Sequence, residues 1–83
     1  MAINNDKIDD MTLALLSLVK WEESEHGARV WKGFDWETMS RLHAKGLIQN
    51  PRGKAKSVYM SPEGVKRSKE LFEEYFVIPD GNV

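Results

Sequence analysis

Cysteine is absent from the sequence, which excludes both a disulfide framework and thiolate chemistry. Long apolar runs are absent too, since no stretch approaches the roughly 20 residues that a membrane-spanning helix requires. The first ten residues are polar and acidic, unlike a secretory signal peptide. We therefore expect a soluble, cytoplasmic protein that has no membrane partner.

Motifs for catalysis and metal binding are also lacking. His26 and His43 stand 17 positions apart, with no cysteine to complete a metal site. Residues 50–54 lack the glycine and serine or threonine spacing of a phosphate-binding loop, and no serine lies in a nucleophile-elbow setting. The sequence thus predicts no enzyme activity, no metal ion and no cofactor.

Charge is present in plenty but is unevenly distributed. The 83-residue chain has a net charge of −1, made up of −4 in residues 1–37, +7 in residues 38–69 and −4 in residues 70–83. A basic centre between acidic ends favours a docking patch for a polyanion. The alternative is charge that pairs within the fold or across a dimer.

The central part of the chain predicts a helix followed by a hairpin. Asp35 is a suitable N-cap for a helix from Trp36 to about Lys45, and Gly46 can end that helix in the left-handed conformation. Two short apolar runs follow, residues 47–50 and 57–60, separated by a basic loop. They predict a two-stranded hairpin, which we call the wing.

Helices are predicted on both sides of this centre. The last helix should run from Pro62 to Phe76, with Ser61 as its N-cap. The first should begin near Asp6, capped by Asn5 or Asp6, and end near Glu23. Three of its residues lie outside the apolar stripe and widen its apolar face: Leu13, Ala14 and Trp21. Either the rest of the domain covers this helix or a second copy does, as in a homodimer.

These elements predict a single α+β domain over residues 1–83, with a core over about 6–76 and a tail with a turn at residues 79–81. The architecture is winged-helix-like: three main helices, a two-stranded β-hairpin wing and a third short strand from Arg29 to Lys32. Residues 24–34 leave too little room for the extra helix of a full helix-turn-helix.

Three runs give the sequence a likeness to known proteins: WKGFDW at residues 31–36, LHAKGLI at residues 42–48 and GKAKSV at residues 53–58. Over about residues 6–76 the chain resembles a bacterial family of small proteins known only as a domain of unknown function. That resemblance implies no catalytic or binding residue. More loosely, three features resemble winged-helix transcription regulators: the glycine that ends the central helix, the basic hairpin after it, and the Ser-Pro-Glu-Gly sequence that begins the last helix.

Two sets of polar residues, most of them cationic, are candidates for contacting nucleic acid. Thr38, Arg41 and Lys45 share the face of the central helix that the apolar pattern places outward. The other set lies in the wing, where cationic side chains can reach phosphates: Arg52, Lys54 and Lys56. For each set the simpler interpretation is a solvated surface.

The aromatic residues support a competing hypothesis. Trp21 and Trp31 either anchor the small core or form an exposed patch that binds a partner protein together with Leu13 of the first helix. The leading prediction is weak binding of double-stranded DNA by an accessory transcription regulator that works as a dimer. The alternative is a protein-interaction module on a winged-helix scaffold with no nucleic-acid binding.

Overall fold

Three helices and three strands make up the computed structural model, which describes residues 1–79. In chain order they are α1 (Asn5–Leu16), β1 (Lys20–Ser24), β2 (Gly27–Trp31), α2 (Trp36–Ala44), β3 (Ser57–Met60) and α3 (Pro62–Phe76). The prediction of an α+β domain with three main helices is confirmed. Part of the turn expected at residues 79–81 lies outside the described residues.

The strands form one antiparallel sheet in the order β1-β2-β3. In β2 and β3 the side chains alternate, so that one face carries buried residues: Ala28, Val30, Val58 and Met60. The three helices contribute to the hydrophobic core on this face. The opposite face, which we call the outer sheet face, carries Trp21, Arg29, Trp31 and Tyr59, and its aromatic side chains stand toward solvent.

The first helix is shorter than the sequence predicts. It is capped by Asn4, not Asn5 or Asp6, and it ends at Leu16 instead of near Glu23. The next three backbone N–H groups bond to the carbonyls three residues before them, which tightens the chain into a turn. The Ser68 hydroxyl donates to the Leu13 carbonyl at 2.6 Å and lies 2.6 Å from the Ser17 hydroxyl, fixing that turn against α3.

Strand β1 therefore replaces the predicted end of the first helix, and Trp21 lies in the sheet. The strand has an irregular register between Trp21 and Ser24, where Glu22 adopts a φ of 51°. Glu23 accepts hydrogen bonds from Lys20 and from Lys69 of α3, and these cations lower the pKa of Glu23 to about 2. The strand is thereby joined to α3 as well as to β2.

The predicted wing forms only in part. Strand β3 lies where it was expected, but it pairs along its length with β2, whereas residues 47–50 contribute a single bridge between Ile48 and Met60. Pro51 follows directly and has no N–H with which to continue a ladder. Lys32, at the end of β2, donates to the carbonyls of Pro51 and Gly53 at 2.8 and 2.6 Å, which draws the loop toward β2.

The caps of α2 and α3 match the prediction. Asp35 accepts the backbone N–H of Thr38 at 3.1 Å, and Ser61 accepts that of Gly64 at 3.0 Å. Gly46 has a φ of 77°, and the N–H of Leu47 reaches the carbonyl of Leu42 at 3.1 Å, as in a Schellman motif. Residues 24–34 contain the end of β1 and strand β2, with no helix between Ser24 and Phe34.

The core is formed by aliphatic and methionine side chains and includes no tryptophan. Its fully or nearly fully buried members are Leu13, Ala14, Leu16, Ala28, Val30, Met39, Leu42, Ile48, Val58, Met60, Val65 and Leu71. Trp21, Trp31 and Trp36 are 43%, 44% and 55% exposed. Of the two interpretations of the tryptophans, core anchors or surface residues, the structure supports the second.

Gly64 is the tightest point between α3 and the chain that precedes β3. A Cβ atom at this position would lie 2.2 Å from the Leu47 carbonyl oxygen, which also accepts the Ser61 N–H at 3.0 Å. We expect Gly64→Ala to lower the free energy of unfolding by about 1–3 kcal/mol, because the backbone must move to admit the methyl group. Urea unfolding followed by far-UV circular dichroism measures the change.

Gly53→Ala is the matched control for that substitution. At Gly53 the nearest atom to an added Cβ is the Ala55 nitrogen at 4.0 Å, so this variant should unfold close to the wild-type midpoint. Equal stability of the two variants would show that α3 does not depend on the close approach at Gly64.

Candidate nucleic-acid interface

The carboxylate of Asp9 is buried between α1 and α2, with only 1% of the residue exposed. Its Oδ1 accepts a hydrogen bond from Nε of Arg41 at 2.8 Å, and its Oδ2 accepts one from Nζ of Lys45 at 2.8 Å. A buried carboxylate needs such partners, because desolvation without them would cost several kcal/mol. Two of the predicted DNA contacts are thus ion-paired to α1.

Thr38 belongs to the same network. It is fully buried, and its hydroxyl donates to Oδ2 of Asp35 at 2.8 Å and accepts from Nη2 of Arg41 at 3.1 Å. The bonds from Thr38 lower the pKa of Asp35, and the bond to Asp9 raises the pKa of Lys45. The prediction that Thr38, Arg41 and Lys45 form an outward face is wrong for Thr38, which is buried, and for Arg41, which is half-buried against α1, whereas Lys45 stays exposed while its amino group pairs with Asp9.

The basic loop, residues 52–56, keeps its cationic side chains in solvent. Arg52, Lys54 and Lys56 are all exposed, and within residues 1–79 none of them forms an ion pair. The base of the loop is fixed by Lys32 and by the Asn50 side chain, whose Oδ1 accepts the Arg52 N–H at 3.0 Å. The structure thus presents the second predicted set of cations to solvent.

A groove of about 360 Å³ lies between the basic loop and the end of β2. Its walls include Trp31 and Gly33 on one side and Lys54 and Lys56 on the other. The indole of Trp31 lies directly over Gly33, where a Cβ atom would come within 2.2 Å of Nε1 of Trp31. An aromatic ring that packs on Gly33 therefore stands beside two cationic side chains.

The outer sheet face continues from this groove across all three strands. Trp21 and Tyr59 both pair with Arg29, so the three side chains form one row across the sheet. The guanidinium carbon of Arg29 lies 5.5 Å from the centre of the Tyr59 ring, within cation–π range. Nε of Arg29 also lies 3.4 Å from the Glu22 carboxylate.

The predicted protein-interaction residues separate into two groups. Leu13 is fully buried in the core, which corrects its assignment to a binding surface: α1 packs against both α2 and α3, and together they cover it. Trp21 and Trp31 are accessible on the outer sheet face. A second apolar surface lies along α1, where Ile3, Ile8, Met11 and Leu15 line a groove of about 480 Å³.

Across residues 1–79 no three histidine, aspartate or glutamate side chains are grouped so that they could hold a metal ion. None of the helices α1, α2 and α3 combines the length and the apolar character needed to cross a membrane.

The fold and the interface together define a class: a small α+β domain with a basic loop beside an aromatic, solvent-facing sheet. The sequence identifies the family. The chain belongs to the family described as "Domain of unknown function (DUF6429)", whose model matches residues 4–78. The predicted resemblance to a bacterial family of unknown function is thereby confirmed.

A relative from Sinorhizobium fredii (strain NBRC 101917 / NGR234) carries the name "Uncharacterized protein y4hR". It is 49% identical over 76 residues, which cover 92% of this chain and 97% of the relative. No solved structure matches the chain, so the likeness to winged-helix proteins stays a prediction.

We expect Asp9→Asn to destabilise the protein, because Arg41 and Lys45 lose the carboxylate that holds α2 against α1. The loss should be about 3 kcal/mol in the free energy of unfolding, measured by urea denaturation. Asp6→Asn is the control, since Asp6 contacts Lys45 at 3.1 Å but its side chain is largely exposed. It should cost less than about 1 kcal/mol, and an equal loss in both variants would contradict a special role for Asp9.

Proposed function

We propose that this protein binds nucleic acid weakly, through phosphate contacts made by Arg52, Lys54 and Lys56 of the basic loop. The observation that carries the proposal is the contrast between the two predicted sets of cations. Arg41 and Lys45 are held by Asp9, whereas the three cations of the loop are exposed and unpaired within residues 1–79. Phosphates attract such side chains without regard to base sequence.

The same contrast argues against a recognition helix. Sequence reading in the major groove needs side chains at the surface of a helix that can enter it. In α2 the polar residues of the expected face bond instead to Asp9 and Asp35. An accessory role in transcription regulation, in which the protein contacts phosphates without choosing the sequence, fits this arrangement.

Fluorescence anisotropy with labelled random-sequence DNA, as duplex and as single strand, tests the proposal. With three phosphate contacts the logarithm of the affinity should fall with the logarithm of the salt concentration, with a slope near about −3 for duplex and about −2 for single strands. A variant carrying Arg52→Gln, Lys54→Gln and Lys56→Gln should lose most of the binding and most of the slope.

A variant with the same change in net charge elsewhere is the control for that triple variant. Lys7, Lys66 and Arg67 lie on α1 and α3, outside the basic loop, and all three can be changed to glutamine. This control should bind like the wild type. If neither duplex nor single strand binds at low salt, or if both triple variants weaken binding equally, the proposal fails.

A second candidate function, self-association, is favoured by the apolar groove along α1. Ile8 and Leu15 are each more than a third exposed there, and Ile3 adds a further apolar side chain. Burying such a surface against its own copy would stabilise a domain whose core is small. In this arrangement the protein is a homodimer joined through α1.

We expect Ile8→Glu to shift the protein from dimer to monomer, because a charge at the centre of the contact would be buried without a partner. Sedimentation equilibrium at several concentrations measures the mass. Leu18→Glu is the control, since Leu18 is 67% exposed and does not line this groove. A wild-type protein that stays monomeric at high concentration would refute dimer formation through α1.

A further inference from the structure

We infer that the nucleic acid is single-stranded and that the outer sheet face stacks its bases while the basic loop holds its phosphates. The inference rests on the proposed function and narrows it from nucleic acid in general to unpaired strands. It assigns Trp31 the main stacking position, with Trp21 as a secondary one.

The outer sheet face exposes large aromatic side chains. The hydrophobic core is complete without the tryptophans, so the burial that stabilises the fold does not account for Trp21 and Trp31 on the outer sheet face. Aromatic side chains that share one face can form an apolar patch, and such a patch, unlike apolar residues scattered singly, marks an interaction surface. Single-stranded nucleic acid offers the matching chemistry, because every unpaired base has a flat face that can stack on an indole.

The aromatic and guanidinium groups of the outer sheet face are far enough apart for more than one base to stack. Adjacent strands lie about 4.8 Å apart, which places Trp21 and Tyr59 about 10 Å from each other across the row that Arg29 bridges. Trp31 is two residues along β2 from Arg29 and therefore lies about 7 Å from that row. Arg29 itself can stack on a base, as it does on the Tyr59 ring.

The Trp31 indole is packed on one side. It rests on Gly33, where no side chain intervenes, and it lines the open groove that the basic loop borders. A ring held by packing on one side loses less conformational freedom when a base stacks on the other side than a fully solvated ring does. A base in this groove would have Lys54 and Lys56 close enough to reach the adjoining phosphates.

The two ends of the outer sheet face carry opposite charges. The basic loop lies at the Trp31 end, whereas Glu22, on the strand of Trp21, and Glu25, in the β1–β2 turn, lie toward the other end. Glu22 already contacts Arg29, and Glu25 lies 3.5 Å from Nε2 of His26. Phosphates are therefore attracted at one end and repelled at the other, so that Trp31 should contribute more to affinity than Trp21.

Duplex DNA cannot use this surface in the same way. Its bases are stacked on one another inside the helix, so their faces do not reach a tryptophan on a flat sheet. A duplex offers the protein only its phosphates, and these engage the basic loop alone. Single strands should bind more tightly than duplexes of equal length for this reason.

The test compares labelled oligothymidylate of 15 nucleotides with a random-sequence 15-base-pair duplex, by anisotropy and by quenching of the intrinsic tryptophan fluorescence. We expect the single strand to bind at least about tenfold more tightly and to quench the fluorescence. Trp31→Ala should weaken its binding by roughly 5- to 100-fold, Trp21→Ala by less, and neither should change duplex binding. Trp31→Phe, which keeps an aromatic ring, should restore most of the loss.

Trp36→Ala is the matched control. Trp36 is 55% exposed but stands at the start of α2, outside the outer sheet face, so its removal should leave binding unchanged. Circular dichroism checks that each variant is folded, and the wild-type comparison of single strand with duplex stands even if Trp31→Ala unfolds.

The outcomes separate this inference from the proposed function. If duplex binds as tightly as oligothymidylate, or if folded Trp31→Ala binds both like the wild type, the stacking surface is refuted while phosphate binding by the loop stands. If neither nucleic acid binds, the proposed function fails together with the inference.

Discussion

The contact of Asp9 with Arg41 and Lys45 determines which surfaces of this protein are left for function. A carboxylate that is almost wholly removed from water requires cationic partners, and these come from two successive turns of α2. The polar face of α2 is thereby turned toward α1, and Thr38 is drawn into the same network through Arg41. The cations of the basic centre thus fall into three groups: those paired with Asp9 at α2, those exposed in the basic loop, and those exposed on α3, which are Lys66, Arg67 and Lys69.

The position of the sheet follows from this packing. Helix α3 packs on β2 and β3, α1 packs against both α2 and α3, and the three helices supply most of the core. Within residues 1–79 the other face of the sheet has no cover, and its Trp31 lies next to the loop whose cations form no ion pair in those residues. The candidate site is therefore a product of one-sided packing: the same arrangement that completes the core exposes Trp21 and Trp31.

Structural features that depend on contacts within a few residues can be predicted from the sequence. Asp35, Gly46 and Ser61 set the ends of α2 and α3 through bonds to backbone groups at most five residues away, and all three were predicted. The cations of the basic loop were predicted as well, because a run of glycine, proline and lysine is a surface segment in almost any fold. Local chemistry was sufficient in both cases.

The features that could not be predicted from the sequence depend on contacts between residues that are far apart in it. The end of α1 depends on Ser68, 51 positions after Ser17, and no pattern near Ser17 indicates that partner. Likewise Arg41 looks the same in the sequence whether it faces water or a carboxylate 32 positions earlier. The wide apolar face of α1 had two explanations, and the structure shows that α2 and α3 of the same chain cover Leu13. Strand β1 was missed because its charged sequence, KWEES, has no apolar alternation.

Strand β1 also affects whether a sheet with exposed aromatic residues promotes aggregation. It is an edge strand of the sheet. An unpaired edge can pair with strands of other molecules, which leads to aggregation. Here the register breaks at Glu22, whose left-handed backbone interrupts the row of hydrogen-bonding groups, and Lys20 and Glu23 add charge beside it. The irregular backbone makes β1 a poor template for a further strand, so Trp21 can remain exposed on it without promoting aggregation.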